Sequence, residues 1–156
     1  MSVLLGVVFV AAVAGLVVRR CLLIVEVEGA SMKPTLHDGD RLLVIRLGGL
    51  ARRGQVVVLD RERPGRPGRR SGEPRTGEPP PAPLIVKRVA GVAGDRISAE
   101  LAGRANLPVG DRVPAGHVVI LGDNAAASLD SRSMGYVPAE RVAGVVVGRF
   151  PKDGRS

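Results

Sequence analysis

Residues 2–18 read Ser-Val-Leu-Leu-Gly-Val-Val-Phe-Val-Ala-Ala-Val-Ala-Gly-Leu-Val-Val, an apolar run without a charge. As a helix it would span roughly 25 Å at ~1.5 Å per residue, the short end for crossing a bilayer core. Leu22 to Val25 lengthen the run if Arg19 and Arg20 snorkel to the interface. A removable leader would begin with basic residues, and Met1-Ser2 offers none, so residues 1–21 are expected to form a retained, single-pass membrane helix. Beyond it the pattern changes to short apolar or alternating runs: Leu22–Glu28, Arg41–Arg46, Gln55–Asp60, Leu84–Ala90, His117–Leu121 and Val142–Arg149. Gly48-Gly49 and Gly54 punctuate them, and runs of this length and alternation predict strands. No amphipathic helices alternate with the strands, which argues against a parallel α/β sheet. The expected fold is mainly β: a coiled, antiparallel, barrel-like domain over residues 22–150 carried on one N-terminal transmembrane helix.

Two stretches depart from this pattern. Residues 61–83 hold seven of the 12 prolines, four glycines and six arginines. Such a composition cannot bury a core, so it is expected as a flexible insertion at a hairpin tip rather than a domain boundary. Residues 100–113 read as a second Gly/Pro-containing connection, and 151–156 as a frayed tail.

Composition narrows the function classes. The formal net charge is +8, which attracts nucleic acid or anionic lipid. With Phe9, Phe150 and Tyr136 as the only aromatic residues, the chain lacks stacking platforms for single strands, so nucleic acid is not an expected partner and the lipid bilayer is. Cys21 is alone, which excludes an intramolecular disulfide. His37 and His117 are isolated and show no metal-ligand spacing, so no metal or other cofactor is expected.

The remaining chemistry lies in Ser31 and Lys87. Ser31 sits in Gly29-Ala30-Ser31-Met32-Lys33-Pro34-Thr35, a turn-forming run, and Lys87 in the apolar Leu84-Ile85-Val86-Lys87-Arg88-Val89. A serine hydroxyl becomes an effective nucleophile when a base removes its proton. A lysine can be that base when apolar surroundings make its ammonium unfavourable. On a strand, Ile85, Lys87 and Val89 share one face, which supplies such surroundings.

Three segments occur in order: Gly29 to Leu36, then Lys87-Arg88-Val89-Ala90-Gly91-Val92-Ala93-Gly94-Asp95, then Gly122-Asp123-Asn124-Ala125-Ala126-Ala127-Ser128-Leu129-Asp130-Ser131-Arg132. They resemble the signature boxes of the type I signal peptidases, Ser/Lys membrane endopeptidases, in their small form with a single membrane segment. The resemblance implies Ser31 as nucleophile, Lys87 as general base and Ser128 as the serine that hydrogen-bonds and orients the lysine. It implies the Ser31 N–H as one oxyanion donor, with Gly29 where some members carry a second, hydroxyl donor. Ala30 and Met32 would line the substrate pocket; core packing is the plainer reading for Met32 and is compatible with that role. Pro34 and Thr35 would fix the turn, and Asp123, Asn124, Asp130 and Arg132 would scaffold the site. Ala125-Ala126-Ala127 depart from the polar residues usual in the third box.

The implied partners are the signal or leader peptides of translocated pre-proteins, cleaved at the plasma membrane with the domain on the extracytoplasmic face. The Arg19-Arg20 pair by itself predicts the opposite orientation. Two alternatives stay open: a protease dedicated to one precursor class, and a non-catalytic tethered β domain that binds peptide or lipid. Ser-x-x-Lys enzymes are excluded because Pro34 stands three residues after Ser31. The sequence leaves the oligomeric state open.

Overall fold

A computed structural model describes residues 15, 21–46, 51–60 and 84–152. The expected membrane helix (apart from Gly15 and Cys21), the 61–83 insertion and the tail beyond Lys152 lie outside the described residues. Among the described residues no helix is long and apolar enough to cross a membrane. The domain is mainly β, as the alternation predicts. Strands β1 (Leu22–Glu26), β2 (Arg41–Ile45), β3 (Val56–Asp60), β4 (Leu84–Val92), β5 (His117–Leu121), β6 (Val137–Pro138) and β7 (Val142–Phe150) form one curled antiparallel sheet. The strand order is β1-β2-β7-β3-β4-β5-β6.

Register irregularities in β2–β7, β3–β7 and β4–β5 bend these long pairings, and such local irregularities raise the twist that curls a sheet. Apolar residues are buried on both faces. Val58 packs with Leu42, Val44 and Val86 on one side, while its neighbours Val57 and Leu59 pack with Val89, Ile120, Val142 and Val145 on the other. That is why β3 reads Val-Val-Val-Leu instead of alternating. A third cluster sets Val119 and Leu121 of β5 against a short helix α1 (Ala99–Ala105) through Leu101, Ala102 and Ala105.

Helix α1 lies where a plain connection was expected. Ser98 caps its start by accepting the Leu101 N–H at 3.2 Å, and Asn106 ends it in the left-handed conformation at φ 55°. A single turn, α2 (Ser131–Met134), and the two-residue β6 are further elements absent from the sequence reading. Asp60 pairs with Leu84, so β3 and β4, the strands on either side of residues 61–83, are antiparallel neighbours.

Candidate active site

The turn between β1 and β2 carries Ser31. Its base is closed by two backbone bonds, Val27 N–H to the Asp40 carbonyl and Gly39 N–H to the Val27 carbonyl, both 2.8 Å. Gly29 enters the turn at φ +86°, a conformation that suits glycine, and its N–H donates to Asp38 Oδ1 at 2.8 Å. Met32 and Leu36 pin the turn from below; each is almost fully buried in the cluster with Val25, Val27 and Leu42. Met32 therefore packs in the core, and only 1% of its surface is exposed.

Strand β4 brings Lys87 to this turn. Pairing with β5 begins at Arg88 opposite Leu121, so residues 84–87 have β3 on one side and an edge free of β5 on the other. Ile85 and Val89, two residues to either side, pack in one apolar cluster, as the strand period predicts for the face of Lys87. The lysine is 4% exposed. Its Nζ donates to Ser31 Oγ at 2.9 Å and to the Val86 carbonyl at 3.0 Å. Two residues 56 positions apart thus meet inside the domain.

The loop after β5 braces the turn that carries Ser31. Asn124 donates its backbone N–H to the Ser31 carbonyl at 2.9 Å and its Nδ2 to the Ala30 carbonyl at 3.1 Å. Asp130, wholly buried, accepts the Gly122 N–H at 2.8 Å and the Arg132 N–H at 3.1 Å. Arg132 pairs with Asp130 at 3.3 Å and donates to the carbonyls of Arg104, Ala125 and Gly122. These contacts engage all three guanidinium nitrogens and tie together residues 122–132. Gly122 is packed so closely that a Cβ there would overlap the Ser128 side chain and lie 2.7 Å from the Ser31 carbonyl oxygen.

Ser128 lies beside this contact, but its hydroxyl is buried with no hydrogen-bond partner. The hydrogen bond to Lys87 implied by the family resemblance is therefore not formed in this conformation. Lone buried hydroxyls of this kind are uncommon and costly. Pro34 and Thr35 are exposed on the turn, and the Lys33–Pro34 peptide is cis.

Arg88 escaped the sequence reading as a site residue. It grips Asp123 with Nε at 2.9 Å and Nη2 at 2.7 Å and donates Nη1 to the Gly54 carbonyl at 2.9 Å. That two-pronged bond holds the Asp123 carboxyl below the usual range against the opposing effect of burial, and the Thr35 side chain lowers it further. The same bond raises the Arg88 guanidinium above its ordinary value. Alternation was the available signal: a residue beside Lys87 on a strand must face the opposite side, where an arginine needs an acid.

The curled β domain thus holds a serine hydroxyl against a buried lysine, beside a stretch of β4 that is not paired with β5. The chain matches the family described as "Signal peptidase, peptidase S26" over residues 1–107 and 101–150, and it belongs to that family. It is 32% identical over 150 residues to the "Signal peptidase I" of Bacillus licheniformis, covering 76% of this chain and 70% of that protein. It is 32% identical over 146 residues to the "Signal peptidase I" of Bacillus caldolyticus, covering 80% and 76%. The "Mitochondrial ATP-independent inner membrane protease subunit 1a" of Arabidopsis thaliana is 38% identical over 126 residues, covering 76% of this chain and 64% of that protein.

Proposed function

We propose that this protein is a membrane-bound serine endopeptidase that removes signal or leader peptides from translocated pre-proteins, with Ser31 as nucleophile and Lys87 as general base. The observation that carries the reading is the 2.9 Å contact between Lys87 Nζ and Ser31 Oγ, made by a lysine that is 4% exposed. Burial disfavours the ammonium, and the neutral amine can take the Ser31 proton as Oγ attacks the scissile carbonyl. The tetrahedral oxyanion is received by the Ser31 N–H. Lys87 then passes its proton to the leaving amine, and water hydrolyses the acyl-enzyme by the same exchange. In this reading Ser128 orients Lys87 by engaging the amine once Nζ leaves Val86 or Ser31 during the proton transfers; what supports the role is that its buried hydroxyl has no other hydrogen-bond partner.

The substrate strand is extended and adds beside the edge of residues 84–87 that β5 leaves open. Residues 2–18 anchor the domain, and Ser31 follows them by 13 residues, which sets the chemistry at the membrane surface; the extracytoplasmic side follows from the proposed substrates, which are translocated pre-proteins. The test is cleavage of a purified pre-protein by the full chain in detergent or vesicles. Wild type is expected to release the leader, and Ser31→Ala and Lys87→Ala to leave it intact while keeping the β-rich circular dichroism of the parent. A Lys87→Ala variant that cleaves at the parent rate overturns the dyad.

A further inference from the structure

The polar contacts that hold the nucleophile turn from its outer side come from the far end of the chain. Arg149 stands on β7 opposite Leu42 of β2. Its Nε meets Asp40 Oδ2 at 2.9 Å and its Nη1 donates to the Thr35 carbonyl at 2.8 Å. Asp40 is almost fully buried, and the same Oδ2 accepts the His37 N–H at 2.8 Å. The Lys152 N–H also bonds to Asp40. The Lys152 side chain lies over Gly39, where an added Cβ would come within 2.5 Å of Cδ; Gly39 is also at φ +82°. Four contacts from residues 149–152 thus converge on residues 35–40, immediately after the serine.

We propose that the C-terminal end of β7 and the residues just after it, through Arg149 and Lys152, form a clamp that sets the position of Ser31 against Lys87, with Arg149 as its positioning residue. This rests on the Ser/Lys reading of the site. The apolar pins Met32 and Leu36 fix how deeply the turn sits. Apolar contacts are non-directional and leave lateral placement to groups with defined geometry. Arg149 supplies such geometry because one planar guanidinium bridges the Thr35 carbonyl and the Asp40 carboxylate. From Thr35 the restraint continues: its side chain bonds Asp123, which is gripped by Arg88, the residue next to Lys87. Nucleophile and base are thereby tied to one polar chain running Asp40–Arg149–Thr35–Asp123–Arg88. An exposed ion pair contributes little by itself. This one differs because its acid is buried and its cation also binds a turn carbonyl.

The test uses the full chain with a pre-protein substrate, comparing Arg149→Ala and Arg149→Lys with wild type. Each is measured for kcat, KM, thermal midpoint and amide hydrogen exchange across residues 31–40, at a temperature where every variant is folded. Arg149→Ala is expected to lower kcat about tenfold or more, since small misplacements of reacting groups are costly. KM should stay within about twofold, because the substrate edge on β4 is untouched. Exchange should rise in residues 35–40. Arg149→Lys should recover part of kcat, as an ammonium can meet Asp40 but cannot span both acceptors; it carries the test if the alanine variant does not fold. Unchanged kcat, or a loss of kcat with unchanged exchange in the turn, overturns the clamp. Ser31→Ala and Lys87→Ala are run in parallel: if they cleave like wild type the dyad fails, and the exchange data still report whether Arg149 holds the turn.

Discussion

A buried lysine that touches a serine hydroxyl can act as its base only if its amine can lose its charge. Lys87→Arg separates charge from chemistry, since arginine stays protonated in proteins. Substrate cleavage by Lys87→Arg is expected to fall on the order of 10³-fold or more, as for loss of a base acting in concert with its nucleophile; a rate within tenfold of the parent would contradict the assignment. Gly122 gives a steric counterpart. In Gly122→Ala the new methyl would overlap Ser128 and press on the Ser31 carbonyl. Overpacking of this kind costs roughly 1–3 kcal/mol. Thermal denaturation should register that cost, and kcat should drop because the displaced groups adjoin the nucleophile. At this scale Ser31 and Lys87 stood out in the sequence through residue type and setting. Arg88, Asp40 and Arg149 did not, because their partners are 35, 109 and 109 positions away (123 − 88; 149 − 40); alternation signals that Arg88 faces away from Lys87 but does not identify which acid it meets. Met32 was ambiguous for a related reason, since an apolar residue beside a nucleophile reads equally as pocket wall or as core.

Strands were the legible elements, because buried sheet residues announce themselves by period and by β-branched content. The expected spans for β2, β3, β5 and β7 agree with the observed ones to within about a residue, the usual uncertainty of element ends. Helix α1 was not legible: seven residues interrupted by Gly103 give too little periodicity, and its caps, Ser98 and Asn106, are as common in loops. Sheet order was equally hidden, since β7 inserts between β2 and β3 by contacts that no local pattern encodes. That insertion depends on Gly144, where a Cβ would meet the Ile45 carbonyl oxygen at 2.5 Å and Val44 Cγ1 at 2.6 Å. Gly144→Ala is therefore expected to destabilise the domain by about 1–3 kcal/mol through overpacking of β2 against β7. Urea unfolding should show a lower midpoint at unchanged slope; an unshifted midpoint would mean that β2 and β7 are more loosely joined than their pairing indicates.

Taken as a whole, the molecule joins its sheet to its site through two carboxylates that must be ionised. Asp123 is held below its ordinary value by Arg88 despite burial. For Asp40, burial acts upward and is the largest single influence, yet the His37 N–H, Arg149 and the Lys152 N–H together leave it below the ordinary value. In the unfolded chain both return to about 3.8. The unfolded state therefore binds protons at higher pH than the folded state, and stability rises with pH across that interval. Their contribution is complete above the unfolded value and disappears as pH falls through the lower, folded values. Denaturant melts at fixed ionic strength should accordingly be level from neutral pH to about pH 5 and decline below pH 4. Asp123→Asn removes one of the two titrations, so its profile should fall less steeply in that acid range while lying lower at neutral pH, where Arg88 has lost its anion. A parent and variant with parallel acid limbs would show that Asp123 is not coupled to folding. Because Asp123 also bonds Thr35 and neighbours Asn124, which holds Ser31, the same acid transition should release the nucleophile turn, and cleavage should fail no later than the fold itself.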